Sequence, residues 1–223
     1  MVVNTLEHLP EGIRNFFLTT IIQHGSVPLF TVLKKTKRTN AGMQENNLLS
    51  LSYGQIIRKD IHTDTGLLPA SFETYQIVEA EQIIFRFTDL QNDRRSLRSA
   101  LCTERGIITS AYLATEVISN EFLPQYLNYL FRAYDLSKIF YGMGGGVRQS
   151  LSFADIARLP IPMVPLETQM QIVSELDSRL EIVSKLSPAS KGAGSSSSAI
   201  ERFVAIVNEG RDAHIVRTVL GGR

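Results

Sequence analysis

The run Leu159-Pro160-Ile161-Pro162-Met163-Val164-Pro165 constrains this chain more than any other segment. Three prolines within six residues cannot lie inside a helix, because each lacks an N–H and its ring clashes with the preceding turn. The spacing predicts an extended, polyproline-like approach to whatever follows. The period then changes at once. From about Leu166 to Leu186, Gln169, Val173, Leu176, Leu180 and Val183 recur at 4-3-4-3 intervals, and Ile172 and Ile182 widen the stripe. That is a helix of about two heptads, about 30 Å long at roughly 1.5 Å per residue. Such a stripe suits a partner helix, and it equally suits packing on the helix's own domain.

The fold must therefore be built upstream of this junction. Pro10 and Gly12 open a first helix over 10–24, with Ile13, Phe16, Phe17, Ile21 and Ile22 at helical spacing and Gly25 as its stop. Segments 27–33, 47–53, 75–80, 82–88 and 106–113 are short, rich in Val, Ile, Phe, Tyr and Thr, and read as strands. A second helix is expected over 122–139, with Pro124 in its first turn, and a short helical turn over 152–157. The class is α+β. The divisions are a folded domain over 1–165, the heptad helix over 166–186, a flexible Ser/Gly-rich linker over 187–198 and an unassigned tail over 199–223. In the tail, Ile200, Phe203, Val204 and Val207 keep helical spacing until Gly210 interrupts it.

Composition narrows the function. Of 223 residues, 43% are hydrophobic and 20% charged, which permits a packed core and excludes wholesale disorder. Lys and Arg number 23 against 22 Asp and Glu, a net charge of +1, so any anion-binding surface has to be local. The single Cys102 excludes a disulfide framework and a cysteine-rich metal cluster, and His8, His24, His62 and His214 lack zinc-type spacing. No apolar run approaches the roughly 18 residues that span a bilayer, and the N-terminus lacks a signal-peptide pattern. A soluble cytoplasmic protein with no membrane contact is expected.

The motifs of common catalysts are missing. Gly142–Gly146 does not fit the dinucleotide fingerprint, since Val147 stands where the third glycine belongs. There is no P-loop, His-Glu-x-x-His, nucleophile elbow or Cys-x-x-Cys. The Asn/Asp-Pro-Pro-aromatic tetrapeptide of amino-methylating DNA methyltransferases is also absent. The chain is expected not to be an enzyme, and to hold no cofactor and no metal.

Three segments suit nucleic acid. Lys34, Lys35, Lys37 and Arg38 place four cations within five residues, a group that attracts phosphates but also fits a solvated loop. Thr88–Ser99 contains Gln91, Asn92, Arg94, Arg95 and Arg98. Arg pairs with guanine edges, and Asn and Gln with adenine. The alternative is a polar loop whose Asp and Arg residues pair with one another. Gly144-Gly145-Gly146-Val147-Arg148-Gln149 joins an unobstructed backbone to two side chains able to reach bases or phosphates, and otherwise reads as a connector. Tyr53 and Gln55 flank Gly54 at a strand end, where Tyr53 reads more simply as a half-buried strand aromatic.

From Gly145 to Val173 the sequence resembles the specificity subunits of Type I restriction–modification systems. Their target-recognition domains end in a Gly-x-x-Arg-x-x-Leu-like loop, matched here by Gly145, Arg148 and Leu151. A short helix follows, then a Leu-Pro-Ile-Pro run and a Pro-Pro-Leu-Glu-Glu-Gln entrance to a long helix. Here Val164 replaces the first of the paired prolines and Thr168 the second glutamate. The resemblance implies a target-recognition domain with a small twisted β-sheet and flanking helices, followed by a coiled-coil helix. The family carries two recognition domains and two long helices, and this chain has room for one of each, so it resembles a half subunit. A homodimer joined through Val173, Leu176, Leu180 and Val183 would restore the whole and read an interrupted palindrome. The partners implied are double-stranded DNA, a modification subunit methylating adenine with S-adenosylmethionine, and a restriction subunit using ATP and Mg. Two other readings stay open: a recognition fragment of a fused restriction–methylation enzyme, and a half subunit that merely competes for modification subunits.

Overall fold

The structure is a computed structural model that describes residues 24–61, 69, 71–90, 97–143 and 150–186, with side chains as far as Ser178. The first helix expected over 10–24 lies outside the described residues except for His24, and the linker and tail lie outside them entirely. In chain order come β1 (Ser26–Pro28), a 3-10 turn (Leu29–Thr31), β2 (Leu33–Thr36), β3 (Arg38–Thr39), β4 (Leu49–Ser52) and β5 (Gln55–Arg58). They are followed by β6 (Gln76–Val78), β7 (Ile83–Phe85), β8 (Ser99–Leu101), β9 (Gly106–Ile108), β10 (Leu113–Val117) and α1 (Pro124–Leu136). A 3-10 turn (Ile139–Gly142), α2 (Phe153–Ile156), β11 (Pro160–Pro162) and α3 (Leu166–Leu186) complete the described order.

Helices and small antiparallel sheets make this an α+β fold, as the sequence predicts. One sheet runs β2-β10-β7-β8 and a second β3-β6-β9, with β4-β5 and β1-β11 as two-stranded ribbons. Ala114 sits opposite both Thr36 and Ile84, and Ile84 opposite Ala100, which fixes the register of the four-stranded sheet. Leu49, Leu51, Val78, Ile84, Ala100, Ile108 and Ala114 form one apolar cluster drawn from both larger sheets and the β4–β5 hairpin. The larger core lies where β2 and β7 meet the helices. Its centre is aromatic. The Phe85 ring lies 5.0 Å from those of Phe87 and Phe131, and Phe87 lies 5.0 Å from Phe140. These edge and offset contacts add to the burial of apolar area.

Two strand expectations need correction. Segment 27–33 is not one strand, because the 3-10 turn after Pro28 separates β1 from β2. Segment 106–113 stops at Ile108, turns, and continues as β10, which is interior to the four-stranded sheet. The proline run does more than approach the helix, for it pairs with β1. Leu29 N–H donates to the Leu159 carbonyl at 2.9 Å and Met163 N–H to the Gly25 carbonyl at 3.2 Å, so the bonded positions alternate with Pro160 and Pro162. Prolines fit a strand only where no donor is required.

Helix α3 begins where the sequence places it, but its first turns serve its own domain. The Gln169 side chain is fully buried. Its Oε1 accepts from Leu123 N–H at 2.9 Å, and its Nε2 donates to the carbonyls of Glu121 at 2.8 Å and Val164 at 2.7 Å. One amide thus ties the start of α1 to the proline run and to α3. Leu176 is wholly inside the main core, Val173 packs on it half-buried, and the Tyr129 hydroxyl donates to Asp177. This corrects the expectation that Leu176 faces a partner helix, since its apolar surface is already covered, whereas Val173 keeps part of its surface open. The side chains of Leu180 and Val183 lie outside the described residues. Among the described residues no helix is long and apolar enough to cross a membrane.

Gln169→Leu should destabilise the domain by on the order of 3 kcal/mol, because each buried polar group left without a partner costs about 1–3 kcal/mol. Urea unfolding of the two proteins checks this, and equal midpoints would remove the tie from the account of the fold.

Candidate functional site

The described flanks of the two segments richest in base-reading residue types meet beside the β7–β8 ladder. Arg86 N–H donates to the Arg98 carbonyl at 2.7 Å, extending the β7–β8 ladder by one step. Arg98 itself is 0% exposed. Its guanidinium turns inward, where Nη1 donates to the Thr88 carbonyl at 3.0 Å and Nη2 to the Asp89 carbonyl at 3.4 Å. Its backbone N–H donates to Asp135 Oδ2 at 2.7 Å, on the last turn of α1. The Arg98 guanidinium carbon lies 5.9 Å from the centre of the Tyr141 ring, and the Lys138 ammonium lies 4.8 Å from it. Leu151 N–H donates to the Phe87 carbonyl at 3.2 Å.

These contacts gather four short stretches, 86–89, 97–98, 138–141 and 151, around one cation. They carry the described approaches to segments 91–96 and 144–149. Gln91, Asn92, Arg94, Arg95, Arg148 and Gln149 lie outside the described residues. Arg98 is corrected from a DNA contact to a structural residue: its donors face main-chain carbonyls, and exposing it would mean opening the core. Sequence reasoning missed Asp135, whose carboxylate anchors this arrangement. Burial pushes its pKa up to about 6, against the lowering effect of the Arg98 backbone N–H and of the nearby Lys138, Arg98 and Arg132 charges.

The β4–β5 hairpin stands beside Leu97. Ser52 pairs with Gln55, so Tyr53 and Gly54 form a two-residue turn with φ of 46° and 74°. Positive φ at both positions is what a type I′ hairpin requires. Gly54 has no room for a side chain, since a Cβ there would lie 2.8 Å from Leu97 Cδ1. Tyr53 is 76% exposed and is therefore not the half-buried strand aromatic its position suggested. The end of β5 is fixed too. Arg58 Nε and Nη2 reach the Glu104 carboxylate at 2.5–2.9 Å, and this pairing holds the acid below the usual carboxylate range.

The cationic segment lies elsewhere. Lys34 pairs with Glu116 at 2.7 Å, directly across the β2–β10 ladder. Arg38 reaches Glu79 at 3.3 Å, and Glu79 and Glu45 both bind Arg105, at 2.6 and 2.9 Å. Gln82 Nε2 donates to Thr36 Oγ1 at 3.3 Å. The segment therefore meets the turn that precedes β7, whereas the Arg98 knot follows β7. Two of its four cations are matched by carboxylates. Lys35 and Lys37 are exposed, and no ion pair with a described residue engages either. Among the described residues no group of three or more His, Cys, Asp or Glu is placed to hold a metal.

Compared with known proteins, the chain matches no protein-family model and no curated protein. Among solved structures it is similar to chains of Type I restriction–modification systems. One comes from work on complex assembly and conformational transition of the type I R-M system, at 16% identity and a TM-score of 0.47, over 89% of this chain and 46% of that one. The HsdS subunit from Thermoanaerobacter tengcongensis matches at 15% identity and a TM-score of 0.48, over 72% of this chain and 43% of that one. The S subunit of the Type-I restriction-modification system from M. genitalium matches at 12% identity and a TM-score of 0.46, over 73% of this chain and 41% of that one. The chain spans less than half the length of each.

Asp135 makes stability depend on pH. The folded state holds its proton to a higher pH than the unfolded chain does, so its contribution is complete in acid and lost as pH rises through about 6. Relative to Asp135→Asn, the native protein should lose on the order of 2 kcal/mol of stability between about pH 4 and pH 7. Urea midpoints for both proteins across that range check it, and parallel curves would contradict the buried carboxyl.

Proposed function

We propose that this chain is a half-subunit form of a Type I restriction–modification specificity subunit, carrying one target-recognition domain that binds double-stranded DNA sequence-specifically. It supplies no chemistry of its own. It directs adenine methylation by a modification subunit using S-adenosylmethionine, and cleavage by a restriction subunit using ATP and Mg. The observation that carries the reading is the gathering of the approaches to 91–96 and 144–149 around Arg98. The flanks of two stretches far apart in sequence, each stretch dense in base-reading residue types, meet at one place. The sequence resemblance over Gly145–Val173 supports the same assignment.

In this reading Gln91, Asn92, Arg94, Arg95, Arg148 and Gln149 contact bases or backbone, and Lys35 and Lys37 bind phosphates. Lys34 and Arg38 contribute less, because their acids must first be displaced. The start of α3 is committed to the domain, so a partner helix meets it further along, through Leu180 and Val183. Two copies related by a two-fold axis then read a bipartite, symmetric sequence.

Methylation mapping in a host carrying the full chain with its modification subunit tests the reading. The expected result is an interrupted palindrome methylated on adenine. Methylation without sequence preference, or none, would overturn it. A second measurement tests the phosphate role. Lys35→Gln with Lys37→Gln should weaken binding evenly across sequences and lower the salt slope by about 2, roughly one for each phosphate that is no longer neutralised. An unchanged slope would remove both lysines from the interface.

A further inference from the structure

We infer that Tyr53 is a sequence-reading residue, whose ring contacts the apolar edge of a base in the groove of duplex DNA. The inference rests on the proposed DNA-binding role and adds a reading element absent from the sequence-derived set.

The argument begins with the backbone. A two-residue turn with positive φ at both positions is formed most readily by Asn-Gly or Gly-Gly. A bulky L residue adopts that conformation only against steric resistance. Tyr53 holds a φ of 46° there, and its side chain gains nothing from burial, being 76% exposed. Local stability therefore argues against a tyrosine at this position. A large aromatic held in an unfavourable conformation, and left in water, points to a contact with another molecule.

The hairpin is also held stiffly. At the tip, Gly54 lies against Leu97 too closely to admit a Cβ. At the other end, Arg58 grips Glu104 through two nitrogens. Inside, Leu49 and Leu51 belong to the apolar cluster that joins the two larger sheets. A hairpin fixed in this way presents the Tyr53 ring from a backbone that loses little conformational freedom on binding. Leu97 is the first described residue after segment 91–96, and it is followed at once by Arg98, around which the candidate DNA surface is gathered. The tip therefore stands at the rim of that surface. Gln55 is exposed on the other side of the turn. An aromatic ring makes apolar contact with the thymine methyl group, which the major groove presents.

The test uses the full chain assembled with its modification subunit, and a randomised duplex library as probe. Tyr53→Asn places the residue that best fits the turn, and Tyr53→Phe keeps the ring. Tyr53→Asn should bind the duplex selected by the native protein about tenfold more weakly, the order expected for one lost base-edge contact. It should also lose preference at one or two adjacent positions of the motif, while its urea midpoint stays equal or rises. Tyr53→Phe should keep both affinity and motif. Replacing thymine by deoxyuridine at the affected position should weaken the native protein and leave Tyr53→Asn unchanged. An unaltered motif and affinity in Tyr53→Asn, or a lowered urea midpoint, would overturn the inference while leaving the DNA-binding reading intact. If the native assembly selects no motif, both fall, and that control tells the two failures apart.

Discussion

The candidate site depends on the burial of one cation. Taking a guanidinium out of water is costly unless its donors are met, so the surroundings of Arg98 must be built to receive it. They are main-chain carbonyls at Thr88 and Asp89, the ring of Tyr141 and the neighbourhood of Asp135. Each belongs to a different part of the chain. Holding them together at one point brings the end of α1, the stretch after β7 and the approach to β8 into fixed relation. Phe87 and Phe140, which flank this arrangement in the chain, belong to the aromatic core with Phe85 and Phe131.

Much of this architecture is legible in sequence where a local rule acts alone. Pro124 at a first turn and the apolar stripe after it define α1, and the change of period after Pro165 marks the start of α3. Strands with Val, Ile and Phe in short runs, such as β6 and β7, are also found. Those decided by neighbours are not. β8 is Ser-Ala-Leu, with little intrinsic strand preference, and it pairs because β7 lies beside it and α1 packs over it. β10 was hidden by the apparent continuity of 106–113, which the turn at 109–112 breaks.

The site was legible in composition and illegible in geometry. Arg98 looks like its neighbours Arg94 and Arg95 in the sequence, and nothing local marks it as a residue that turns inward. The sign is nonlocal: a buried acid at Asp135, 37 residues later. The same holds for α3, where a 4-3 spacing cannot say whose surface the stripe meets. Here Gln169 and Leu176 meet their own domain, because a single amide satisfies three main-chain groups from two other segments. Tyr53 carries no such local sign either, since a type I′ turn favours Asn-Gly or Gly-Gly and a tyrosine before Gly54 does not announce one.

The alternation of the proline run has a further effect. In an antiparallel ribbon, residues that do not bond across the ladder turn their N–H groups outward. At β11 those positions are Pro160 and Pro162, which have none, and the outward carbonyl of Pro160 is taken by the Tyr134 hydroxyl at 2.8 Å. The outer edge of β11 therefore offers no donor pattern on which a stray strand could build. A margin that would invite aggregation is sealed by the same residues that steer the chain into its long helix.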